Sequence, residues 1–229
     1  MAYSTLLFDA DGTLFDYKRA ETWALTETFS QYGHRFEPSY SEIYRQVNDP
    51  LWDALEQGAI TQDRLKVKRF ELLFEKLGYD DDPEAFSASY SRQLGQATFL
   101  IGGAHDLVAS LSVEHRLLLL TNGLTDVQRP RFAGSTIGHF FEDWVISEEV
   151  GVAKPDPRIF DIAFERLGQP EKRDVLIIGD SLSSDIAGGI AYGIDTCWYN
   201  PAGRPADPAL PVTYQITNLV QLPQIVSAG

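Results

Sequence analysis

Four apolar runs, none longer than four residues, constrain this 229-residue chain more than any other feature. They are Thr5–Phe8, Leu117–Leu120, Val175–Ile178 and Thr196–Tyr199, with Asp143–Ile146 as a fifth candidate. Each is dense in aliphatic or aromatic residues, and each is followed by polar or glycine-containing residues. Runs this short and this continuously apolar suit strands buried on both faces, as in a parallel sheet. Helical patterns separate the later runs, at about 104–112, 156–167 and 183–192. Pro157 falls near the start of the second, where a missing N–H does no harm. The alternation predicts an α/β fold with a doubly wound parallel sheet.

The first strand breaks the alternation. About 80 residues follow it with no good strand pattern. The spacing instead predicts helices over 18–32, 39–57, 61–77 and 83–94, with Gly33, Gly58, Gly78 and Gly95 at their C-terminal ends. Phe70, Leu73, Phe74 and Leu77 give one apolar face. The chain therefore divides into a core of residues 1–15 and 95–229 and an inserted α-helical cap of residues 16–94. An insert at the C-terminal end of a strand lies over the sheet edge where α/β ligands bind, where a lid is useful.

Charge narrows the partners. Nineteen Lys and Arg stand against 33 Asp and Glu, a formal net of −14. Neutralising the phosphates of duplex nucleic acid, or adhering to an anionic membrane, needs the opposite balance. The single cysteine, Cys197, excludes an internal disulfide framework and a Cys-rich zinc site. Cys197 itself reads as a buried small hydrophobe. The uncharged stretch 208–229 carries three prolines and several amides, so it does not read as a membrane span. The first residues show no signal-peptide pattern, and a cytoplasmic location is the simplest expectation.

The chemistry-bearing residues follow the strands. The first run ends in Phe8-Asp9-Ala10-Asp11-Gly12-Thr13. Two carboxylates this close require a cation or a shared proton, and a hard ion such as Mg2+ matches both charge and ligand type. Leu117–Leu120 ends in Thr121-Asn122-Gly123, a hydroxyl and backbone N–H groups suited to an anion. Val175–Ile178 ends in Gly179-Asp180-Ser181, with Asp185 five residues beyond Asp180. Lys154, in Lys154-Pro155-Asp156-Pro157, supplies a positive charge before a helix. All four groups fall at one edge of one sheet.

In order and spacing these motifs make the chain resemble the haloacid dehalogenase (HAD) superfamily over nearly its whole length. The resemblance implies a Rossmann-like core, a helical cap and a Mg2+-dependent phosphomonoester hydrolase working through an aspartyl-phosphate. It implies Asp9 as nucleophile and Asp11 as general acid and base. Thr121, Asn122 and Lys154 are the phosphate-binding and charge-balancing groups it implies. The metal set it implies is Asp9, Asp11 through its backbone carbonyl, and Asp180, with Asp185 as ligand or neighbour. Ser181 lines the same place. Asp11 favours a phosphatase over a dehalogenase, because a halide leaving group needs no acid.

Several segments resemble the bacterial pyrimidine 5′-nucleotidase branch: Asn48–Trp52, Glu56–Gly58 with Thr61, Arg69-Phe70, and Asp195–Pro201. They imply a nucleoside monophosphate as the small phosphorylated partner. Sugar-phosphate phosphatases of the N-acylneuraminate-9-phosphatase type and β-phosphoglucomutase-like phosphomutases stay open as alternatives. So does a regulatory binding protein on the same fold. Trp52, Asn48 and Arg69 are the candidates for substrate selection. Arg64, Lys66, Lys68 and Arg69 form the densest basic cluster, set against Asp63, Glu71 and Glu75 at helical spacing. That spacing favours a solvated, ion-paired face over a substrate clamp. The histidines at 34, 105, 115 and 139 show no ligand spacing. Asp80-Asp81-Asp82 with Glu84 reads as a charged helix start.

Overall fold

The computed structural model describes residues 3–227. In chain order the elements are β1 (Thr5–Phe8), α1 (Tyr17–Gln31), α2 (Ser39–Glu56), α3 (Gln62–Leu77), α4 (Pro83–Gln96), α5 (Ala104–Leu111), β2 (Arg116–Thr121) and α6 (Thr125–Gly134). There follow β3 (Asp143–Ile146), α7 (Ser147–Val150), α8 (Pro157–Arg166), β4 (Val175–Gly179), α9 (Ala187–Tyr192), β5 (Asp195–Tyr199), β6 (Tyr214–Ile216) and α10 (Leu222–Ser227). They form two compact units. The first comprises Met1–Asp16, Phe99–Thr125 and Phe132–Gly229, and the second Tyr17–Thr98 with Asp126–Arg131. Residues 95–98 and 126–131 thus belong to the helical unit.

The first unit is built on a six-stranded sheet of order β3-β2-β1-β4-β5-β6, with every pairing parallel. Alternate residues of the short apolar strands feed two cores, as a period of two requires. Leu6, Phe8, Leu117, Leu119, Leu176 and Ile178 pack with residues of α5 and α10 on one face. Leu7, Leu118, Leu120, Val175 and Ile177 pack with α8 and Tyr192 on the other. Burying side chains of this size contributes about 1.5–3 kcal/mol each, so both faces resist a slip in register. Phe8 stands opposite both Leu119 and Ile178, which levels the ends of β1, β2 and β4. The chain winds outward from β1 through β2 to β3, then returns to β4 on the other side of β1. That reversal is the place where sheets of this kind bind ligands.

The second unit holds α1 to α4 around an aromatic core. Phe29, Phe70, Phe74 and Phe86 meet with ring centroids 4.9–5.1 Å apart in their closest pairs. Local chemistry sets the helix ends. The Thr61 hydroxyl accepts from Arg64 N at 3.3 Å to start α3, and Gly78 ends it at φ +72. The Asp82 carboxylate accepts from Glu84 N at 3.0 Å, with Pro83 in the first turn of α4.

Three details depart from the sequence expectations. Gly95 lies inside α4 rather than beyond its end; a Cβ there would fall 2.8 Å from Pro130 Cγ, so the glycine serves close packing. The helix expected over 183–192 is a wide π-type turn, Leu182–Ile186, followed by α9. β6, α6 and the short α7 and α10 are additions, and α6 carries Pro130 inside it. Among the described residues no helix is long and apolar enough to cross a membrane.

Candidate active site

The levelled ends of β1, β2 and β4 bring together residues that the sequence spreads over 176 positions, from Asp9 to Asp185. Asp9 is the first residue after β1, and its N–H donates to Ile178 O at 2.9 Å. Asp180 follows β4 directly. The π-type turn delivers Asp185. Carboxylate oxygens of Asp9, Asp180 and Asp185 all lie within 4.8 Å of one another.

Lys154 organises this group. Its ammonium is buried and donates to Asp9 Oδ1 at 2.7 Å, to Asp185 Oδ1 at 2.6 Å and to Leu120 O at 2.5 Å. Those three bonds use all its hydrogens. Asp185 also accepts from Ser181 N on Oδ2 at 3.1 Å. The Thr13 hydroxyl donates to Asp9 Oδ2 at 3.3 Å. Asn122 holds the lysine in place: its Nδ2 donates to Lys154 O and its Oδ1 accepts from Lys154 N, both at 2.8 Å.

The charges do not balance. Three carboxylates, two of them buried, face one buried ammonium, with the exposed Arg204 guanidinium also near Asp180. Burial pushes the Asp9 carboxyl well up; Lys154 pulls it back, while Asp185 and Asp180 push it further. Burial likewise raises Asp180, to about 6, with Asp185 adding to the rise and Lys154 opposing it. Burial works against the Lys154 cation, but Asp185 and Asp9 together hold it protonated above the ordinary lysine range. Surplus oxygen donors of this type suit a hard divalent cation. The backbone keeps them clear: Gly12 has φ +84, and a Cβ on it would fall 2.7 Å from Asp180 Oδ2.

The remaining expected residues are placed as follows. Thr121 is buried at the end of β2, and its hydroxyl accepts from Gly123 N at 3.1 Å. Asp11 is partly exposed in the turn after β1, and its carboxylate is not among the three that cluster. Trp52, Asn48 and Arg69 lie in the helical unit; Trp52 is partly buried and the other two are buried. Arg69 donates to Tyr44 Oη at 3.2 Å and to Lys66 O at 3.3 Å, and its guanidinium lies 4.9 Å from the Tyr90 ring centre. The basic cluster of α3 is therefore split. Arg64 and Lys68 pair with Glu71, at 2.5 and 3.1 Å, and Lys66 lies 3.6 Å from Asp126. The sequence reading missed two contributions: the Asn122 side chain as a clamp, and Thr13 as a partner of Asp9. Local spacing signalled neither.

A parallel sheet carries an acid-rich site at its strand ends, partly offset by one buried lysine. The model of the haloacid dehalogenase-like hydrolases matches residues 3–193, and the chain belongs to that family. HAD-hydrolase YfnB of Bacillus subtilis is 38% identical, covering 98% of this chain and 96% of that protein. Its magnesium-bound crystal structure superposes with a TM-score of 0.93 over 99% of both chains. Pyrimidine 5′-nucleotidase YjjG of Escherichia coli is 34% identical over 99% of each chain. Pyrimidine 5′-nucleotidase PynA of Streptococcus pneumoniae is 38% identical over 88% of this chain and 85% of its own.

Proposed function

We propose that the chain is a Mg2+-dependent phosphomonoester hydrolase whose substrates are pyrimidine nucleoside 5′-monophosphates. The observation that carries the reaction class is the Lys154 ammonium bonded to both Asp9 and Asp185, with Asp180 close by. The names of two relatives that match most of the chain support the substrate class. Asp9, the backbone carbonyl of Asp11, and Asp180 would hold Mg2+, with Asp185 alongside. When bound, the ion offsets charge on the phosphoryl oxygens.

The chain's own residues carry the steps. An Asp9 carboxylate oxygen attacks phosphorus, a bond forms to it, and the bond to the ester oxygen breaks. Asp11 gives its proton to that leaving oxygen. Asp11, now a carboxylate, takes a proton from water as the water attacks phosphorus. Phosphate departs and the Asp9 carboxylate is restored. Lys154 holds Asp9 Oδ1 and Thr13 approaches Oδ2, so the nucleophile enters the reaction with its orientation fixed. Thr121 and the N–H of Asn122 receive the phosphoryl oxygens. The helical unit acts as a cap that selects the non-phosphate part of the substrate, with Trp52, Asn48 and Arg69 as candidates.

Phosphate release measured across a panel tests this reading. UMP, dUMP and dTMP should give higher kcat/KM than purine nucleotides, N-acylneuraminate 9-phosphate and hexose phosphates. Far higher kcat/KM for a sugar phosphate would contradict the nucleotide assignment. Turnover indifferent to Mg2+ removal would contradict the reaction.

A further inference from the structure

The β4–β5 ladder ends where Gly179 pairs with Trp198, so Asp180 lies one residue beyond it. Side chains take over from the backbone there. The buried indole of Trp198 donates from Nε1 to Asp180 O at 3.1 Å. Arg204 Nη2 donates to the same oxygen at 2.7 Å. The guanidinium lies 5.4 Å from the Trp198 ring centre, so the two donors support each other. Asn200 then fixes the arginine. It is fully buried, gives Nδ2–H to Arg204 O at 2.8 Å and accepts Arg204 N–H on Oδ1 at 2.9 Å. Its own N–H is tied to Ile216 O at 2.7 Å. Gly203, at φ +63, lets the loop turn back tightly enough for this.

Two donors on one carbonyl occupy both its lone pairs, and a guanidinium bond is stronger than a neutral one. This is a large local investment in the backbone of one residue, whose carboxylate belongs to the acidic cluster. A carboxylate that must wait in place for an ion gains affinity from such restraint, since less freedom is lost on binding. We infer that Trp198, Asn200 and Arg204 form a clamp on Asp180 that sets the affinity of the acidic cluster for a divalent cation. Arg204 is a positioning residue, acting through the backbone it holds. The inference rests on the Mg2+ reading above.

Calorimetric titration of Mg2+ into the full chain tests it, using Arg204→Met, Arg204→Lys, Trp198→Phe and a control, Arg173→Ala. Arg173 is exposed just before β4, at the far end of that strand from Asp180. Trp198→Phe keeps a ring but removes the donor. The clamp predicts Mg2+ affinity weakened roughly 10-fold in Arg204→Met and Trp198→Phe. It predicts no recovery in Arg204→Lys, because an ammonium lacks the planar fork that stacks and donates together. Arg173→Ala keeps wild-type affinity, and added Mg2+ restores kcat in Arg204→Met. Arg204 is exposed, so its variants fold even if Trp198→Phe does not. Unchanged affinity in Arg204→Met overturns the clamp. Wild-type affinity in Arg204→Lys also overturns it, by reducing Arg204 to a charge. A wild-type chain that binds no Mg2+ overturns the phosphatase reading as well, which separates the two failures.

Discussion

Both units bury charge, and they do so with opposite balance. At the end of the sheet, Asp9, Asp180 and Asp185 share the single ammonium of Lys154, whose three hydrogens are all bonded. In the helical unit the cations are in surplus: Arg45 pairs with buried Glu21 at 2.8 Å, and Arg69 has tyrosines and a carbonyl for company. There Arg69 Nη2, Asn48 Oδ1 and Tyr90 Oη have no hydrogen-bond partner. A surplus of fixed carboxylates beside a saturated lysine has the donor chemistry that suits a hard cation. A guanidinium packed on aromatic rings holds helices together. Each arrangement leaves polar atoms over, carboxylate oxygens in the first and Arg69 Nη2 and Asn48 Oδ1 in the second.

Five substitutions at four positions probe this contrast. Asp9→Asn should abolish turnover by about 10^4-fold or more, the scale of losing a nucleophile, with folding intact by circular dichroism. Asp11→Asn should cost about 10^2–10^4-fold in kcat on a nucleoside monophosphate. The loss should be smaller on an aryl phosphate, whose leaving group needs less protonation. Equal losses on both would remove Asp11 as the acid.

In the helical unit the effects should appear in stability. Arg69→Glu places an unpaired carboxylate among aromatics and should cost about 3–5 kcal/mol, read as a Tm fall of roughly 10 °C. Arg69→Met should cost much less, since the stem and its packing survive. A pH-dependent effect concerns Glu21, which burial raises to about 7 from an ordinary 4.5 against the pull of Arg45. Between those values the folded chain keeps a proton that the unfolded chain has released. Stability therefore falls as pH rises through that window, by up to about 3 kcal/mol. Glu21→Gln should flatten the Tm profile between pH 4.5 and 7; an unchanged slope would show that Glu21 is not its source.

Legibility in the sequence followed the range of the interaction. β1 and β3 have the bounds the apolar runs predict; in β1 full burial of all four residues leaves no exposed position to blur them. The core motifs were legible because the residues directly after a strand fall at its end, whatever lies elsewhere in the chain. β6 was not, since three residues among prolines and threonines carry no period. Nor was α6, where Pro130 interrupts the helical pattern. The basic cluster of α3 shows the limit most clearly. Four cations in six residues look alike in sequence, yet Arg64 and Lys68 face Glu71 while Arg69 turns inward between tyrosines. The hold of Arg204 on Asp180 spans 24 positions and leaves no local pattern at all.

The proposed reaction depends on an Asp9 oxygen bonding to phosphorus. The most direct measurement is acid quenching during steady-state hydrolysis of UMP with Mg2+, followed by mass spectrometry of the digested chain. A phosphoryl group is expected on the peptide containing Asp9, absent in Asp9→Asn and absent without Mg2+. Undiminished turnover by Asp9→Asn, or a phosphoryl group carried by another residue, would contradict it.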